Sequence, residues 1–302
     1  MTAAIAMLND KHPQLQNPVT DSNAYALGTP AGHNVVIACL PFGIYGTIQY
    51  ALMVGIGGGV PSKLLDIRLG DVVVSKPTGQ YSGVVQYDYG KTVRGGRFEQ
   101  TGMLNHPPQL LLTHISRLEA ERRATKDNNG ISGVIAKVLD ERPSMIDEFG
   151  CPGPDQDVLF STAYHHTSSN DNCNDCDSAQ RVQRDPLGSL EPQVCYGLIA
   201  SGDKVMKDSQ TRDRLAHETG AICFEMGAAG LMNQLPCLVI RGICDYADSY
   251  KNRKWQGNAA PTAAVYGKLL SSAEVEYSHH YCRRITKCPF LRQKQGPCLL
   301  LL

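Results

Sequence analysis

The sequence predicts an α/β fold built on a sheet that is covered on both faces. Three segments support this prediction, namely 33–41 (HNVVIACLP), 50–61 (YALMVGIGGGVP) and 66–77 (DIRLGDVVVSKP). Each contains a continuous apolar run of strand length, as strands buried on both faces do. The chain has 302 residues, 42% of them hydrophobic, which suffices for one large α/β domain or at most two.

The remainder of the chain alternates predicted helices with predicted strands. Apolar residues at helical spacing predict helices at 2–8, 107–123, 131–140, 209–220, 227–235 and 259–276. Short apolar runs predict a strand and turn at 194–206 and further strands at 222–226 and 236–245. The segment 143–193 is rich in Pro, Gly, Asp, Asn and Ser, which indicates a loop insertion.

One connection conflicts with a regular order of strands and helices. The strand that ends near Leu40 and the strand that starts near Ala51 are separated by the short link FGIYGTIQ. A parallel crossover needs about a dozen residues, usually with a helix. Either these two strands are antiparallel, or a connecting helix is missing.

Composition argues against several kinds of partner. The 29 basic and 29 acidic residues give a formal net charge of zero, so no global field favours nucleic acid or an anionic membrane. We find no signal peptide and no apolar run of the roughly 18 residues that a membrane helix needs, and expect a cytoplasmic protein. Of eleven cysteines, Cys39, Cys223, Cys237 and Cys244 lie in apolar runs and are predicted to be buried free thiols.

The glycine-rich segment GIGGGVPS, at 55–62, is the first candidate binding element. Glycines after a buried strand let a ligand approach the backbone, whose N–H groups can bind an anion or a sugar hydroxyl. The spacing fits neither the dinucleotide-binding GxGxxG pattern nor a phosphate-binding GK[ST] loop. The alternative is a tight turn at the edge of the sheet.

Two isolated acids, Glu225 and Asp245, each lie at the end of a predicted apolar strand, where an unpaired carboxylate is costly. Glu225 can bind sugar hydroxyls, with Met226 packing on the sugar, or it can stabilise the N-terminus of the next helix. Asp245 follows one of the most apolar stretches, where a raised pKa would make it a general acid. Alternatively, Asp245 belongs to a structural polar network with Arg241 or Asp248.

A weaker candidate is a metal site. His165, His166, Cys173 and Cys176 provide one C-x2-C pair with nearby histidines, which is half of a zinc signature. A second such pair is absent. A flexible insertion with incidental thiols is therefore the alternative, and no cofactor is predicted.

Four motifs occur in a specific order: LMVGIGGGVPS with DIRLGDVVVS, then YGLIASGDKVM, CFEMGAAGL and VIRGICDYAD. Together they resemble the nucleoside phosphorylase/nucleosidase family, most closely its fungal branch, whose domains often begin NACHT or ankyrin-repeat receptor-like proteins. We place this domain at 1–272, followed by a tail at 273–302 that does not resemble the family. The resemblance implies a three-layer α/β/α sandwich around a central mixed, partly barrel-like sheet.

The resemblance also implies roles for individual residues. Asp245 would be the acid that protonates N7 of a purine while the N-glycosidic bond breaks. The other positions would contact the nucleoside: Ile56, Gly57 and Gly58 on the sugar and acceptor side, Val205 and Met206 at the base, and Met226 with Glu225 at the ribose. The acceptor would be phosphate or water, and Arg68, Arg94 and Arg97 are available for phosphate although no spacing selects any of them. Members of the family are commonly homo-oligomers.

Three departures from the family pattern bear on activity. Gly227 stands where the family has the second glutamate of an E-M-E motif, which binds ribose hydroxyls. The family's first strand, which ends in a glutamate that activates water, is not found, and FGIYGTIQ replaces a helix. We therefore expect either a weakened purine nucleosidase or phosphorylase, or a non-catalytic module that senses nucleosides. A chain that does not fold stably is the third alternative.

Overall fold

The strands and helices of the computed structural model largely follow the predicted alternation. The structure describes residues 5–8, 10–11, 24–29, 35–39, 50–94, 98–124, 130–165, 176–250, 253–285 and 298–301. The strands are β1 Asp10–Lys11, β2 Ala24–Thr29, β3 Val35–Cys39, β4 Tyr50–Gly59, β5 Val72–Ser75, β6 Val84–Gln86, β7 Gly90–Thr92, β8 Phe98–Gln100, β9 Val194–Ser201, β10 Ala221–Glu225, β11 Cys237–Asp245 and β12 Cys298–Leu301. The helices are α1 Gln109–Ala124, α2 Ile131–Glu141, α3 Ile146–Phe149, α4 Ser209–Thr219, α5 Ala228–Met232 and α6 Lys254–Ile285.

Five strands close into a small barrel at the centre of the fold. In ring order, β4 pairs with β10, β10 with β9, β9 with β5, β5 with β11, and β11 with β4 again. The β4–β10 and β5–β11 pairs are antiparallel and the other three are parallel, so the sheet is mixed. The predicted mixed, partly barrel-like sheet is confirmed. Closure of the ring leaves these strands without an open edge.

Apolar side chains cover the barrel strands from both sides, as their continuous apolar runs predicted. Leu52 and Val54 of β4 belong to an apolar cluster that includes residues of α1, α2 and α6. The intervening Ala51 and Met53 belong to a second cluster, which includes residues of α5. All nine residues of β11 are buried. Successive side chains of a strand point to opposite faces, so a strand that is apolar on both faces requires this double covering.

A strand from the far end of the chain separates β3 from β4. β12 lies between β3 and β4 and is parallel to both, so β3 and β4 run in the same direction without being neighbours. The antiparallel alternative for these two strands is therefore wrong. The connecting residues, at 40–49, lie outside the described part of the chain. β2 and β1 extend the sheet beyond β3 in antiparallel order.

Helix α6 is longer than the prediction of 259–276. Pro261 lies inside it, although proline removes one backbone hydrogen bond from a helix and usually marks its start. Tertiary contacts hold the turn before this proline in place. Trp255 and Asn258 donate side-chain hydrogen bonds, at 3.0 and 3.5 Å, to carbonyl oxygens of the 143–193 segment.

The described parts of the predicted loop insertion contain little regular structure. Helix α3 and short 3-10 turns at Pro143–Met145, Pro154–Gln156 and Ser178–Gln180 lie within it. Within the ranges that the structure describes, no helix is long and apolar enough to cross a membrane.

The cysteine prediction is confirmed where the structure describes the side chains. Cys223, Cys237 and Cys244 are buried and form no disulfide, whereas the side chain of Cys39 is outside the described set. Burial raises the pKa of the Cys237 thiol to about 12 and also raises that of Cys223. These thiols are therefore neutral, apolar parts of the core at physiological pH.

Candidate active site

A cavity of about 450 Å³ opens where the ends of β4, β10 and β11 meet. Cavities of this size are typical of small-molecule sites. Eight side chains or glycines singled out from the sequence line it together: Ile56, Gly57, Gly58, Val205, Met206, Glu225, Met226 and Asp245. The topology explains this convergence, because β4 lies between β10 and β11. Gly58 of β4 is paired with Phe224 on one side and with Asp245 on the other.

The backbone of β4 and the carboxylate of Asp245 approach each other closely at Gly58. A Cβ atom at Gly58 would lie 2.7 Å from Oδ1 of Asp245 and 2.8 Å from both N and Cβ of Ala247. Only glycine fits here unless both Asp245 and Ala247 move. The glycine-rich segment therefore continues as a strand rather than forming a tight turn, and it makes room for a carboxylate.

Asp245 is only 7% exposed, and a strained backbone holds it in place. Oδ1 accepts a hydrogen bond of 2.8 Å from the backbone N–H of Ala247. Ala247 has a φ of 51°, the one positive φ at a non-glycine position in the described part of the chain. Such conformations cost about 1–3 kcal/mol and are concentrated at functional sites. Asp248 was considered as an alternative partner of Asp245. Its carboxylate accepts a hydrogen bond of 2.9 Å from the backbone N–H of Tyr250.

Arg241 forms a buried ion pair with Glu225 across the barrel. An Nη atom of Arg241 donates to Oε2 of Glu225, and the N–H of Ala228 donates to Oε1 at 3.2 Å. The side chains of Glu225 and Arg241 are 1% and 5% exposed. Glu225 therefore serves as a counter-ion and supports the N-terminus of α5, which was the helix-terminus alternative. A Cβ atom at Gly55 would overlap the guanidinium group of Arg241, so this position also requires glycine.

The residue after the acid–methionine pair is held in an unusual conformation. Gly227 has a φ of 104°, in the left-handed region that side-chain-bearing residues rarely adopt. Space is not limiting, because the nearest atom to a Cβ there would be Cε of Met53 at 3.5 Å. The adjacent Met226 is half exposed, at 49%, and together with Val205 and Ile56 it presents apolar surface to the cavity.

A second set of lining residues, which was not predicted from the sequence, lies at the mouth of the cavity. These are Tyr87, Lys204, Lys207, Arg253 and Gln256. Burial raises the pKa of the Tyr87 phenol, which therefore stays protonated and donates to the carbonyl oxygen of Lys204 at 2.9 Å. The fragment SGDKVMK carried the signal for the lysines, because Lys204 and Lys207 flank Val205 and Met206, which were predicted to contact the base.

Of the arginines considered for phosphate binding, Arg68 and Arg94 do not line this cavity. Arg68 pairs with Asp66 at 2.6 Å and lies 4.0 Å from Asp157. Arg94 is exposed on the surface, and Arg97 lies outside the described residues. Among the described residues, the cations that line the cavity are Lys204, Lys207 and Arg253.

The possible zinc site is only partly covered by the structure. His166 and Cys173 lie outside the described ranges, whereas His165 and Cys176 lie within them. Among the described residues, no group of three or more His, Cys, Asp or Glu side chains is arranged to hold a metal ion. The zinc prediction is not tested further by the structure.

Comparisons with known proteins place these features in context. No protein-family model matches the chain. It is 45% identical over 289 residues to a nucleotide-binding leucine-rich repeat (NLR)-like protein of Hyaloscypha variabilis, an alignment that covers 89% of this chain and 28% of that protein. The chain thus spans little more than a quarter of the length of this relative. A shorter match, 35% identical over 92 residues, links it to the 5'-methylthioadenosine/S-adenosylhomocysteine nucleosidase of Mycobacterium bovis, covering 28% of this chain and 36% of that enzyme.

Two solved structures cover nearly the whole chain. The 5'-methylthioadenosine/S-adenosylhomocysteine nucleosidase of S. pneumoniae superposes with a TM-score of 0.51 and 16% identity, over 91% of this chain and 96% of the other. The futalosine hydrolase of Helicobacter pylori superposes with a TM-score of 0.50 and 17% identity, over 91% and 92%. The chain shares their fold. The α/β architecture inferred from the sequence motifs is thereby confirmed.

Proposed function

We propose that this chain cleaves the N-glycosidic bond of purine nucleosides, with Asp245 as the acid that protonates the base. The observation that carries the proposal is the convergence of Asp245, Gly57 and Gly58 on one cavity, with the carboxyl oxygen held against the β4 backbone. Such an acid, placed beside glycines with exposed apolar surface around it, suits a flat heterocycle attached to a sugar. The fold of the two hydrolases is consistent with this reaction.

With water as the acceptor, every bond and proton of the proposed reaction is accounted for. The C1′–N9 bond breaks, and its electron pair stays with the purine. Asp245 gives a proton to N7, which removes the negative charge that would otherwise develop on the departing base. The oxygen of water bonds to C1′ of the oxocarbenium-like sugar and loses a proton, which replaces the one that Asp245 gave up. With phosphate as the acceptor, a phosphate oxygen bonds to C1′ instead.

The remaining cavity residues have roles in this proposal that their positions support. Val205 and Met206 contact the base, and Met226 packs against the ribose. Ile56 and Gly57 line the acceptor side. Glu225 acts indirectly, since its carboxylate is buried against Arg241. A cytoplasmic location and assembly into a homo-oligomer belong to the same proposal.

Base release is the direct test of the proposal. Adenosine, inosine and guanosine are incubated with the purified chain, with and without inorganic phosphate, and free base is quantified by chromatography. We expect release of at least one base. Its dependence on phosphate distinguishes a phosphorylase from a hydrolase. Tight binding of purines without release of base from any nucleoside would contradict the proposal.

A second function, a non-catalytic nucleoside-sensing module, is favoured by one specific observation. The carboxylate expected to hold ribose hydroxyls is absent at Gly227, and the neighbouring Glu225 is committed to Arg241. The relative from Hyaloscypha variabilis, of which this chain matches 28%, is named a nucleotide-binding leucine-rich repeat (NLR)-like protein, which is consistent with a ligand-binding role. Nucleoside binding that raises the melting temperature, without turnover, would support this alternative.

A further inference from the structure

The residue after the proposed acid is tied to the 143–193 segment, 89 residues away in the chain. Tyr246 is 2% exposed, and its hydroxyl group donates a hydrogen bond to Oδ1 of Asp157. Burial raises the pKa of this phenol well above its ordinary value, so the hydroxyl group keeps the proton that it donates. Tyr246 does not line the cavity, so this buried contact has no direct part in the proposed chemistry.

Two arginines hold the Asp157 carboxylate in place. Nη2 of Arg184 donates to Oδ2 of Asp157 at 2.8 Å, and Nη1 of Arg68 lies 4.0 Å from the same oxygen. The guanidinium carbon of Arg184 also lies 5.2 Å from the centroid of the Tyr246 ring. The Asp157 side chain is 2% exposed. A buried, ionised acceptor holds the tyrosine hydroxyl group about twice as strongly as a neutral acceptor would.

The main chain of Tyr246 is held from a second direction, by helix α4. Nη1 of Arg212 donates to the carbonyl oxygen of Tyr246 at 2.7 Å, and it lies 3.9 Å from Oδ2 of Asp248. Arg212 is itself buried. The carbonyl group that it contacts belongs to the peptide bond between Tyr246 and Ala247. Arg212 therefore fixes the orientation of the peptide that carries the N–H of Ala247.

Aromatic stacking holds the far end of the same turn. The Tyr250 ring stacks on Phe160, with ring centroids 4.2 Å apart and an angle of 21° between the planes. It also stacks on Tyr164, with centroids 5.8 Å apart. Phe160 and Tyr164 both belong to the 143–193 segment, as Asp157 does. This segment thus contacts the turn at 246–250 at both of its ends.

Ala247 lies between these two ends, in a conformation that alanine does not keep by itself. Its φ is 51°, and its N–H donates to Oδ1 of Asp245 at 2.8 Å. A residue other than glycine keeps a positive φ only where the surrounding structure enforces it. If Tyr246 were released, Ala247 could relax to a negative φ, and its N–H would turn away from the carboxylate of Asp245.

We infer that Tyr246 and Asp157 are positioning residues, which hold the acid Asp245 in place by enforcing the strained turn at Ala247. This inference rests on the proposed function and gives the 143–193 segment a part in it. The segment supplies no group that touches the substrate in this scheme. It acts through the hydrogen bond to Tyr246, which keeps the Ala247 N–H directed at the carboxylate.

Tyr246→Phe tests the inference, because it removes the hydroxyl group and leaves the ring. We expect kcat for base release from purine nucleosides to fall about tenfold while KM stays within about twofold, because the acid is displaced and the cavity lining is kept. Tyr266→Phe is the matched control. Tyr266 is fully buried, its hydroxyl group lies 3.2 Å from that of Tyr196, and it does not line the cavity. This variant should keep kcat within about twofold, at a temperature where both variants are folded.

Ala247→Gly shows whether the effect passes through the turn. Glycine adopts a positive φ without strain, so the turn no longer depends on the tyrosine to enforce it. In the Ala247→Gly background, the loss of kcat caused by Tyr246→Phe should shrink from about tenfold to about threefold or less. A tyrosine that only stabilises the fold would not respond to the residue at position 247. Equal losses in both backgrounds therefore overturn the inference.

Hydrogen exchange of the Ala247 amide tests the same contact without turnover. We expect Tyr246→Phe to speed this exchange about tenfold, and Tyr266→Phe to leave it unchanged. If Tyr246→Phe does not fold, Asp157→Asn takes its place in both experiments, because it keeps the shape of the side chain and weakens the acceptor.

The outcomes separate the inference from the function on which it rests. Unchanged kcat in folded Tyr246→Phe overturns the inference and leaves nucleoside cleavage standing. If the unmodified chain releases no base, the proposed function fails, and exchange of the Ala247 amide still decides on the turn. Faster exchange in Tyr246→Phe then supports the role of Tyr246 in holding the turn, and unchanged exchange overturns it.

Discussion

Gly58 leaves no room for a side chain beside the proposed catalytic acid, so Gly58→Ala should move Asp245. The new Cβ would lie 2.7 Å from Oδ1 of Asp245 and 2.8 Å from the backbone nitrogen of Ala247. Ala247 cannot yield easily, because its φ of 51° is already strained. Overpacking of this kind costs about 1–3 kcal/mol. A displacement of the acid by about 1 Å lowers the rate of base release by about a hundredfold.

The neighbouring glycine provides a matched control for this experiment. A Cβ at Gly59 would lie 2.8 Å from a methyl group of Ile67 and 2.9 Å from one of Ile243, without touching Asp245. Gly59→Ala should therefore lower stability to a similar degree but reduce base release much less. Both variants are compared by thermal melting and by kcat, at a temperature where each is folded. The reasoning is refuted if Gly58→Ala keeps the original kcat, or if Gly59→Ala loses as much activity.

Three further predictions concern the ion pair, pH and the unusual glycine. Arg241→Met leaves the Glu225 charge unpaired and should lower the free energy of unfolding by about 3–5 kcal/mol in urea denaturation. The double variant Glu225→Gln/Arg241→Met should lose less than the sum of the single losses, and additive losses would contradict this pairing. Burial raises the pKa of Asp71 to about 7 in the folded state, so the folded chain binds this proton more tightly than the unfolded chain. The free energy of unfolding should therefore fall as pH rises from about 4 to about 7, by a few kcal/mol, and Asp71→Asn should flatten that slope. At Gly227 the left-handed backbone disfavours Glu, but Asn and Asp tolerate it better, so each should cost about 1 kcal/mol in stability. A higher rate of base release for Gly227→Asp than for Gly227→Asn would show that a carboxylate there helps, and equal rates would show that it does not.

The core of the fold was predictable because its signal is local. Buried strands such as β4 and β11 carry continuous apolar runs, and Gly220 ends helix α4 in the left-handed conformation expected of a helix terminus. The strands Ala24–Thr29 and Cys298–Leu301 were missed. Their place in the sheet depends on pairing between segments that are far apart in the chain, which local periodicity does not record.

The residues that line the candidate site could largely be predicted from the sequence, but the contacts between them could not. Glu225, Asp245 and the glycines are unusual for their sequence surroundings, and they do line one cavity. That Arg241 pairs with Glu225 could not be read from the chain, because β10 and β11 are each beside β4 and not beside each other. Exposed lysines on a loop, such as Lys207, look like ordinary solvated charges until a cavity is seen beside them.

The central claim is that Asp245 protonates the departing base. Base release from purine nucleosides by the unmodified chain and by Asp245→Asn, with melting temperature measured on both, tests it most directly. The account predicts that Asp245→Asn stays folded, keeps its affinity for the substrate within about threefold, and loses base release by about a hundredfold or more. Undiminished base release by folded Asp245→Asn would contradict the assignment of this residue as the acid.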